Sequence, residues 1–131
     1  MVTDFFDCSF LVIDQLDDYI FTYDVFFENY FPFSKIDYIG ELNEFKSILK
    51  SNSSYDFVIC ELYFMNKCLN DYNSVQNFSH IGKNIIFTSA YDLKYSCVGN
   101  FIKYGYSFIE KPFDFNTLRN KINSKISVNI P

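Results

Sequence analysis

The segment D-F-V-I-C-E-L, residues 56–62, decides how the rest of the sequence is interpreted. Four apolar residues in a row, Phe57 to Cys60, form a run that is short enough for a strand and too short for a helix. A run without polar alternation is typical of a parallel strand covered on both faces. Glu61 follows at once, so a carboxylate lies where this buried strand reaches solvent. Because ligands bind at that end of the strands in open α/β sheets, the segment predicts both a fold class and the rim that carries the site.

Four other segments have strand character and alternate with helical stripes along the chain. Residues 9–13 and 84–87 are continuous apolar runs, whereas residues 36–39 and 106–109 alternate apolar and polar positions. Alternating strand and helix units predict an α/β fold, with a doubly wound five-stranded parallel sheet between two layers of helices. The continuous runs suit interior strands and the alternating ones suit edges, which predicts the strand order 2-1-3-4-5 of the flavodoxin-like fold.

Apolar residues at helical spacing predict the helices between these strands. Pro32 ends the first helix, Ser and Asn residues at 51–54 end the second, and Gly105 ends the fourth. Asp114 is a candidate N-cap for the last helix. Residues 63–83 are the least legible segment, with apolar positions that allow a helix between weak caps. The predicted stripes are Ile20, Tyr23, Phe27 and Tyr30; Leu42, Phe45, Ile48 and Leu49; Leu93, Cys97, Phe101 and Tyr104; and Phe115, Leu118, Ile122 and Ile126.

Length and composition bound the class of protein. The 131 residues fit one domain with its own core, which we expect to span residues 1–131 without an output domain. The four cysteines form no CxxC pair and no zinc-like spacing, which is typical of a reduced intracellular protein. An acidic start and the lack of a long apolar run argue against a signal peptide and a membrane span, so we expect a cytoplasmic protein. A net charge of −5 argues against general nucleic-acid binding.

Four polar side chains follow the carboxyl ends of four predicted strands: Asp14, Glu61, Ser89 and Lys111. Because parallel strands end at the same rim, we expect these side chains to share one pocket. Together with K-P-F at 111–113 they make the chain resemble the receiver domain of two-component response regulators over nearly its whole length. The other segments that carry the resemblance are L-V-I-D at 11–14, the segment 56–62, I-I-F-T-S-A at 85–90 and Y-G at 104–105.

The resemblance implies a site for phosphoryl transfer with a metal ion. In receiver domains an Asp at the end of the third strand accepts a phosphoryl group from a histidine kinase, and acids after the first strand bind Mg²⁺. Glu61 stands at the phosphoacceptor position of this chain, and Asp14, Gln15 and Glu61 stand at the metal positions. Such chemistry depends on positioning and on neutralisation of charge more than on covalent work by the protein.

The resemblance also implies roles for three residues on the fourth and fifth strands. Ser89 corresponds to the hydroxyl that contacts the phosphoryl group, and Lys111 to the lysine that does so ahead of a usually cis proline. Phe108 corresponds to the aromatic residue that changes rotamer in members that switch.

Two of the positions depart from the family where its chemistry takes place. Gln15 offers a neutral oxygen in place of a second carboxylate, so a metal would lose a full charge from its ligands. Glu61 carries one more methylene than the usual Asp, and a misplacement of about 1 Å can cost about 100-fold in rate. The Pro and Gly that usually follow the acceptor are missing between Leu62 and Asn70. We therefore expect ordinary phosphotransfer to be compromised and the Mg²⁺ site to be weak or lost.

Glu61 has two interpretations that the sequence leaves open. The carboxylate either ends a strand in solvent as a relic, or reaches Lys111 or Ser89, which would otherwise contact phosphoryl oxygens. In the second case it would hold the domain in its signalled conformation, with Phe108 turned inward. The length and charge of the side chain are the grounds for this hypothesis.

The charges of the two halves of the chain are opposed. Residues 1–66 hold 12 acids and 3 lysines, and residues 67–131 hold 4 acids and 8 bases. Several bases lie on the last two predicted helices, a face that receiver domains use with the fifth strand to bind partners. Opposed charges would orient an acidic partner or a second copy of the chain. The basic residues concerned are Lys94, Lys103, Arg119, Lys121 and Lys125.

We interpret the chain as a stand-alone, degenerate receiver-like domain, not an enzyme, that signals through protein contacts with a histidine kinase or a downstream effector, with a homodimer as a further option. The first alternative is a working Mg²⁺-dependent phosphoacceptor switch. The second is a flavodoxin-like nucleotide or flavin binder. No strand is followed by a Gly-rich phosphate loop, which argues against this alternative.

Overall fold

The computed structural model describes residues 8–14, 16–62, 79–89 and 107–129. The segment 63–78 and the predicted fourth helix lie outside the described residues. The strands are β1 (Ser9–Ile13), β2 (Lys35–Ile39), β3 (Tyr55–Glu61), β4 (Gly82–Ser89) and β5 (Ser107–Glu110). The helices are α1 (Leu16–Tyr30), α2 (Leu42–Leu49) and α3 (Phe115–Asn129), and a 3₁₀ turn covers Ser79–Ile81.

The five strands form one parallel sheet in the order β2-β1-β3-β4-β5. The predicted topology is therefore confirmed, including the two alternating segments as edge strands. The cross-strand register runs from Ile13 to Cys60 and from Cys60 to Phe87 and Phe108. Asp14, the first acid predicted for the site, begins the next row of residues towards the carboxyl ends of the strands.

Each face of the sheet carries its own hydrophobic cluster, because side chains alternate along every strand. On one face α2 packs its buried Phe45 against Leu11, Val58 and Phe87. On the other face α1 and α3 cover a cluster rich in phenylalanine, in which the Phe10 ring lies 5.2 Å from the Phe57 ring. Helices on both faces make the three layers that the sequence predicts.

The packed face of α1 differs from the predicted stripe. Tyr23 and Phe27 are buried as expected, but Phe26 is buried with them and Ile20 is 39% exposed. Phe26 lies next to Tyr23 around a helix with 3.6 residues per turn, so the packed face is wider than the predicted stripe. The stripe includes Tyr23, Phe27 and Tyr30 of this face and misses Phe26.

The last helix follows the sequence more closely. Asp114 Oδ1 accepts hydrogen bonds from the Thr117 backbone N–H at 2.7 Å and the Thr117 hydroxyl at 2.9 Å, so it is the predicted N-cap. These bonds lower the pKa of Asp114, since they stabilise the carboxylate. Leu118 and Ile122 are fully buried on the predicted inward face.

Gly82 begins β4 at a point of close approach to β3. A Cβ at this position would collide with Cγ2 of Val58, a fully buried and conformationally stiff side chain. The absence of a side chain at Gly82 therefore allows the two central strands to come together at their amino ends.

Within the described ranges, no helix is long and apolar enough to cross a membrane.

Candidate functional site

The carboxyl ends of the strands bring the predicted site residues to one rim. The backbone N–H of Asp14 donates to the Ile39 carbonyl at 3.0 Å, so Asp14 extends the β1–β2 ladder by one residue. In the same row Glu61 pairs with Thr88, and Thr88 pairs with Ile109. Lys111 follows Ile109 by two positions, which places it on the same face of the sheet. The site thus lies on the face that α1 and α3 cover.

A buried ion pair joins Asp14 to Lys111 across the rim. Lys111 Nζ lies 2.7 Å from Asp14 Oδ2 and 2.8 Å from Asp14 Oδ1. The side chains are 4% and 1% exposed, respectively. Charges removed from water are stable only when paired with good geometry and supported by further hydrogen bonds. The ammonium group therefore serves as the counter-ion of this carboxylate, and both carboxylate oxygens are engaged.

Two tyrosines of α1 contact the ion pair. The Tyr23 hydroxyl donates to Asp14 Oδ2 at 3.0 Å. Lys111 Nζ lies 4.1 Å from the centroid of the Tyr19 ring, a distance that suits a cation–π contact. Burial, followed by the charge and hydrogen bond of Asp14, raises the pKa of Tyr23 well above its usual value. Tyr23 therefore stays protonated and continues to donate at any physiological pH.

Thr88 is a site residue that the sequence analysis missed. It is fully buried, and its hydroxyl forms no hydrogen bond of good geometry among the described residues. The hydroxyl lies close enough to Tyr23 for a weak hydrogen bond, which partly offsets the rise in the pKa of Tyr23. The alternation of side chains along β4 could have identified Thr88. Ile86 packs on the face that α1 covers, and Thr88, two positions later, lies on the same face. An orphan hydroxyl in this position marks a place where the site has unused hydrogen-bonding capacity.

The remaining predicted residues are placed as follows. Glu61 is 5% exposed at the end of β3, so its carboxylate does not end the strand in open solvent. Ser89 pairs with Glu110 through the backbone, but its side chain, like all of Gln15, lies outside the described part of the chain. Phe108 is half-buried and packs against the cluster on the α2 face. The peptide bond between Lys111 and Pro112 is cis, as the resemblance implied.

The described side chains do not fit a resident Mg²⁺ ion. Mg²⁺ requires close octahedral ligation by oxygen, usually from carboxylates and water. No group of three or more His, Cys, Asp or Glu side chains that could hold a metal occurs in the described ranges. Asp14, the first of the predicted metal ligands, is already occupied by an ammonium group on both oxygens. A metal at Asp14 would have to displace Lys111 from a buried pair.

No protein-family model and no curated protein matches the amino-acid sequence. Comparison with solved structures does find similar folds. The receiver domain of a sensor histidine kinase from Pseudomonas aeruginosa PAO1, solved with a magnesium ion in its active-site cleft, matches with a TM-score of 0.66 at 13% identity, over 93% of this chain and 99% of that one.

Two further receiver domains match to a similar extent. A signal receiver domain of a histidine kinase from Clostridium thermocellum gives a TM-score of 0.66 at 18% identity, covering 91% of this chain and 97% of its own. A CheY-like receiver domain from Methanospirillum hungatei JF-1 gives 0.64 at 16% identity, covering 93% and 95%. With its parallel sheet in the order 2-1-3-4-5 and its polar residues at the carboxyl rim, the chain has the fold of response-regulator receiver domains.

Proposed function

We propose that this chain is a cytoplasmic receiver-like domain of a two-component pathway that signals through protein contacts without being phosphorylated. The observation that carries the proposal is the buried pair of Asp14 and Lys111. Where a receiver domain would bind a divalent cation, this chain supplies a cation of its own. The partner would be a histidine kinase or a downstream effector.

The energetics of the pair support this proposal. Removing one member of a buried ion pair leaves an uncompensated charge and costs about 3–5 kcal/mol. A phosphoryl group or a metal that recruited Lys111 or Asp14 would have to offset a cost of that kind. The longer side chain of Glu61 adds to the difficulty, because the nucleophilic oxygen would be displaced from the usual position. We therefore expect phosphotransfer to be lost as a normal function and the chain to be no enzyme.

Glu61 has a part in this proposal as a carboxyl group held near the rim. Its burial favours a carboxylate held inside the site over one that ends a strand in solvent. Lys111 contacts Asp14 directly. A signalled conformation stabilised by Glu61 would therefore involve Asp14 and Lys111 together, and the rotamer of Phe108 would report that conformation. Glu61→Gln should then change the rotamer of Phe108 and weaken partner binding. Unchanged Phe108 side-chain NMR signals would contradict this role.

Incubation with acetyl phosphate and Mg²⁺, followed by intact-mass measurement at neutral pH, tests the main proposal. We expect no added phosphoryl group under conditions that modify an ordinary receiver domain included as a positive control. A phosphoryl adduct that forms on this chain and disappears in Glu61→Gln would overturn the proposal.

A working Mg²⁺-dependent phosphoacceptor is the second candidate. The orphan hydroxyl of Thr88 favours it, since a phosphoryl oxygen at the rim would give that buried group a partner. The same mass experiment in Thr88→Val, a close match in shape, separates the candidates. A Thr88-dependent adduct would support the switch, and the absence of any adduct would support the phosphate-independent domain.

The expected partner surface combines β5 with the last helices. In the described part of this surface Lys121 is exposed, whereas Arg119 is half-buried with its guanidinium 5.0 Å from the Tyr30 ring centroid. Lys121 is therefore the residue of the two that is free to steer an acidic partner or a second copy of the chain. Lys121→Glu should lower the association rate in a salt-dependent way, and Lys125→Glu serves as a neighbouring comparison.

A further inference from the structure

A surface pocket lies at the opposite edge of the sheet from β5, between α1 and the edge strand β2. Its volume is about 210 Å³. The apolar part of its lining consists of Phe27, Phe31, Pro32 and Ile36, and the polar part consists of Asp24, Glu28, Ser34 and Tyr38. No site residue of the carboxyl rim lines it, so the inference drawn from this pocket does not depend on the function proposed above.

Two carboxylates of α1 line the pocket without a counter-ion. Asp24 and Glu28 are one helical turn apart and both are exposed. Asp24 Oδ1 accepts a hydrogen bond of 2.6 Å from the Tyr38 hydroxyl. Burial raises the pKa of Tyr38 above its usual value, and this hydrogen bond raises it further. Neither carboxylate forms an ion pair within the part of the chain that the structure describes. The pocket therefore combines aromatic walls with unneutralised negative charge, a combination that suits an organic cation.

Exposed apolar residues lie on the helix that lines the pocket and in the turn that follows it. The exposed large hydrophobic residues of the described chain are Ile20 at 39%, Phe21 at 77% and Phe33 at 65%. Ile20 and Phe21 lie one turn before Asp24 on α1, and Phe33 lies in the turn between α1 and β2. Large exposed apolar side chains on the elements that line a pocket are typical of an interaction surface.

The size of the pocket indicates what it holds. Drug-sized ligands and cofactors occupy pockets of roughly 300–1,000 Å³, whereas an apolar cavity of about 150 Å³ holds a benzene molecule. The volume here is closer to the second case and fits one large side chain. Arginine is among the residues that anchor protein interfaces, and its planar guanidinium both stacks on aromatic rings and pairs with carboxylates.

We propose that the surface formed by α1 and β2 docks a protein segment that inserts an arginine side chain into this pocket. The guanidinium would pair with Asp24 and Glu28, and its stem would lie against Phe31 and Ile36. An apolar neighbour in the same segment would cover Phe33. The positive charge of the docked segment follows from the two carboxylates. Its protein nature follows from the single side-chain size of the pocket and from the exposed apolar residues on the same elements.

Titration of ¹⁵N-labelled full chain with the peptide acetyl-Ala-Leu-Arg-Leu-Ala-amide tests the proposal. We expect saturable shifts of the amide signals of Ser34, Ile36 and Tyr38, which line the pocket. The same peptide with citrulline, which keeps the shape of arginine without its charge, should bind at least about fivefold more weakly, because it loses the partly exposed ion pairs with both carboxylates.

Variants of the chain locate the binding. Asp24→Asn and Glu28→Gln should each weaken the arginine peptide about fivefold, and raised salt should weaken it further. Phe33→Ser should weaken both peptides, because it removes apolar contact and no charge. Glu44→Gln removes an exposed acid from α2 and is the matched control, with unchanged binding expected.

Three results would overturn the proposal. Equal affinity for the citrulline peptide would show that the carboxylates do not select a cation. An absence of saturable shifts up to about 10 mM peptide would show that the pocket does not take an arginine side chain. Concentration-dependent shifts of the same amides in the free protein would show that a second copy of the chain occupies the surface.

Discussion

Two lysine–aspartate pairs lie at opposite rims of the same sheet, and they differ in every respect that determines their strength. At the amino ends of β3 and β4, Lys83 Nζ lies 3.9 Å from Asp56 Oδ1, with side chains 76% and 39% exposed. At the carboxyl ends, Lys111 Nζ lies within 2.8 Å of both oxygens of Asp14, with side chains 4% and 1% exposed. The same two residue types thus make a loose surface pair at one rim and a sequestered one at the other.

The difference shows that burial and support, and not the presence of opposite charges, decide what an ion pair contributes. An exposed pair is screened by water and typically contributes about 0–1 kcal/mol. A buried pair stabilises a fold little more than apolar residues of similar volume would. Removal of one partner is nevertheless costly, because the other charge is then buried without a counter-ion. The predictions below test this difference between the two rims, from the largest expected effect to the smallest.

Removal of the buried carboxylate should have the largest effect. Asp14→Leu should lower the free energy of unfolding by about 3–5 kcal/mol, because it leaves the Lys111 ammonium buried without a counter-ion. Urea denaturation measures the change. The double variant Asp14→Leu with Lys111→Met should recover a large part of it. A single variant that unfolds at the wild-type midpoint would contradict the description of this rim.

Removal of the supporting hydroxyl should have the next largest effect. Tyr23→Phe deletes a donor to the buried Asp14 carboxylate and should cost about 1.5–3 kcal/mol, the range for hydrogen bonds to charged groups. Tyr38→Phe is the matched comparison, since it deletes the exposed hydrogen bond to Asp24 and should cost less than 1 kcal/mol, roughly. Similar losses in the two variants, measured by urea denaturation, would mean that burial does not separate them.

Steric fit should matter more than charge at the amino rim. Gly82→Ala should cost about 1–3 kcal/mol, because the added methyl group collides with Val58 and overpacks the contact between β3 and β4. The same substitution in a Val58→Ala background should cost less, since the collision is removed. A double-mutant cycle of unfolding free energies measures this coupling, and strict additivity would exclude the collision.

Removal of the exposed lysine should have a small effect. Lys83→Met should change the free energy of unfolding by less than about 1 kcal/mol, and about 1 M salt should abolish the difference from the wild type. Chemical denaturation in low and high salt gives the comparison. A loss as large as that of the Asp14 variant would remove the distinction between the rims.

Tyr55, at the amino end of β3, should make the stability of the domain depend on pH in alkali. Burial and the 2.8 Å hydrogen bond from the Tyr55 hydroxyl to Asp37 raise the pKa of Tyr55 to about 12. Between pH 10 and 12 the unfolded chain loses this proton and the folded chain keeps it. The stabilisation is therefore complete below pH 10 and is lost as the pH rises through 12. Phenolate absorbance measures the titration, and Asp37→Asn should lower the pKa without restoring it fully, since burial remains.

The sequence predicts the topology well because the sheet depends on local signals. Continuous apolar runs identify interior strands, and β1 (Ser9–Ile13) coincides with its predicted run. Element ends differ by one or two residues, as at β4, where the strand begins at Gly82 and not at Asn84. Periodicity locates a strand by its apolar residues and does not register polar residues that extend the ladder.

The candidate site is predicted less completely, because it depends on pairings between distant residues. The sequence places Asp14, Glu61 and Lys111 at one rim, and the structure does the same. It does not reveal that Asp14 and Lys111 pair, nor that Tyr23 and Thr88 lie beside them. A tyrosine in an apolar stripe and a threonine at a strand end look like ordinary core and edge residues until α1 is placed over the sheet.

The buried pair has a consequence for how the chain is completed. Its two members are 97 positions apart, one following the first strand and the other following the last. A nascent chain that has emerged only through β4 would carry the Asp14 carboxylate without its counter-ion, and burial of that charge would be unfavourable. The sheet can therefore seal its carboxyl rim only after Lys111 has emerged, which makes the segment that follows the last strand decide when the domain becomes native.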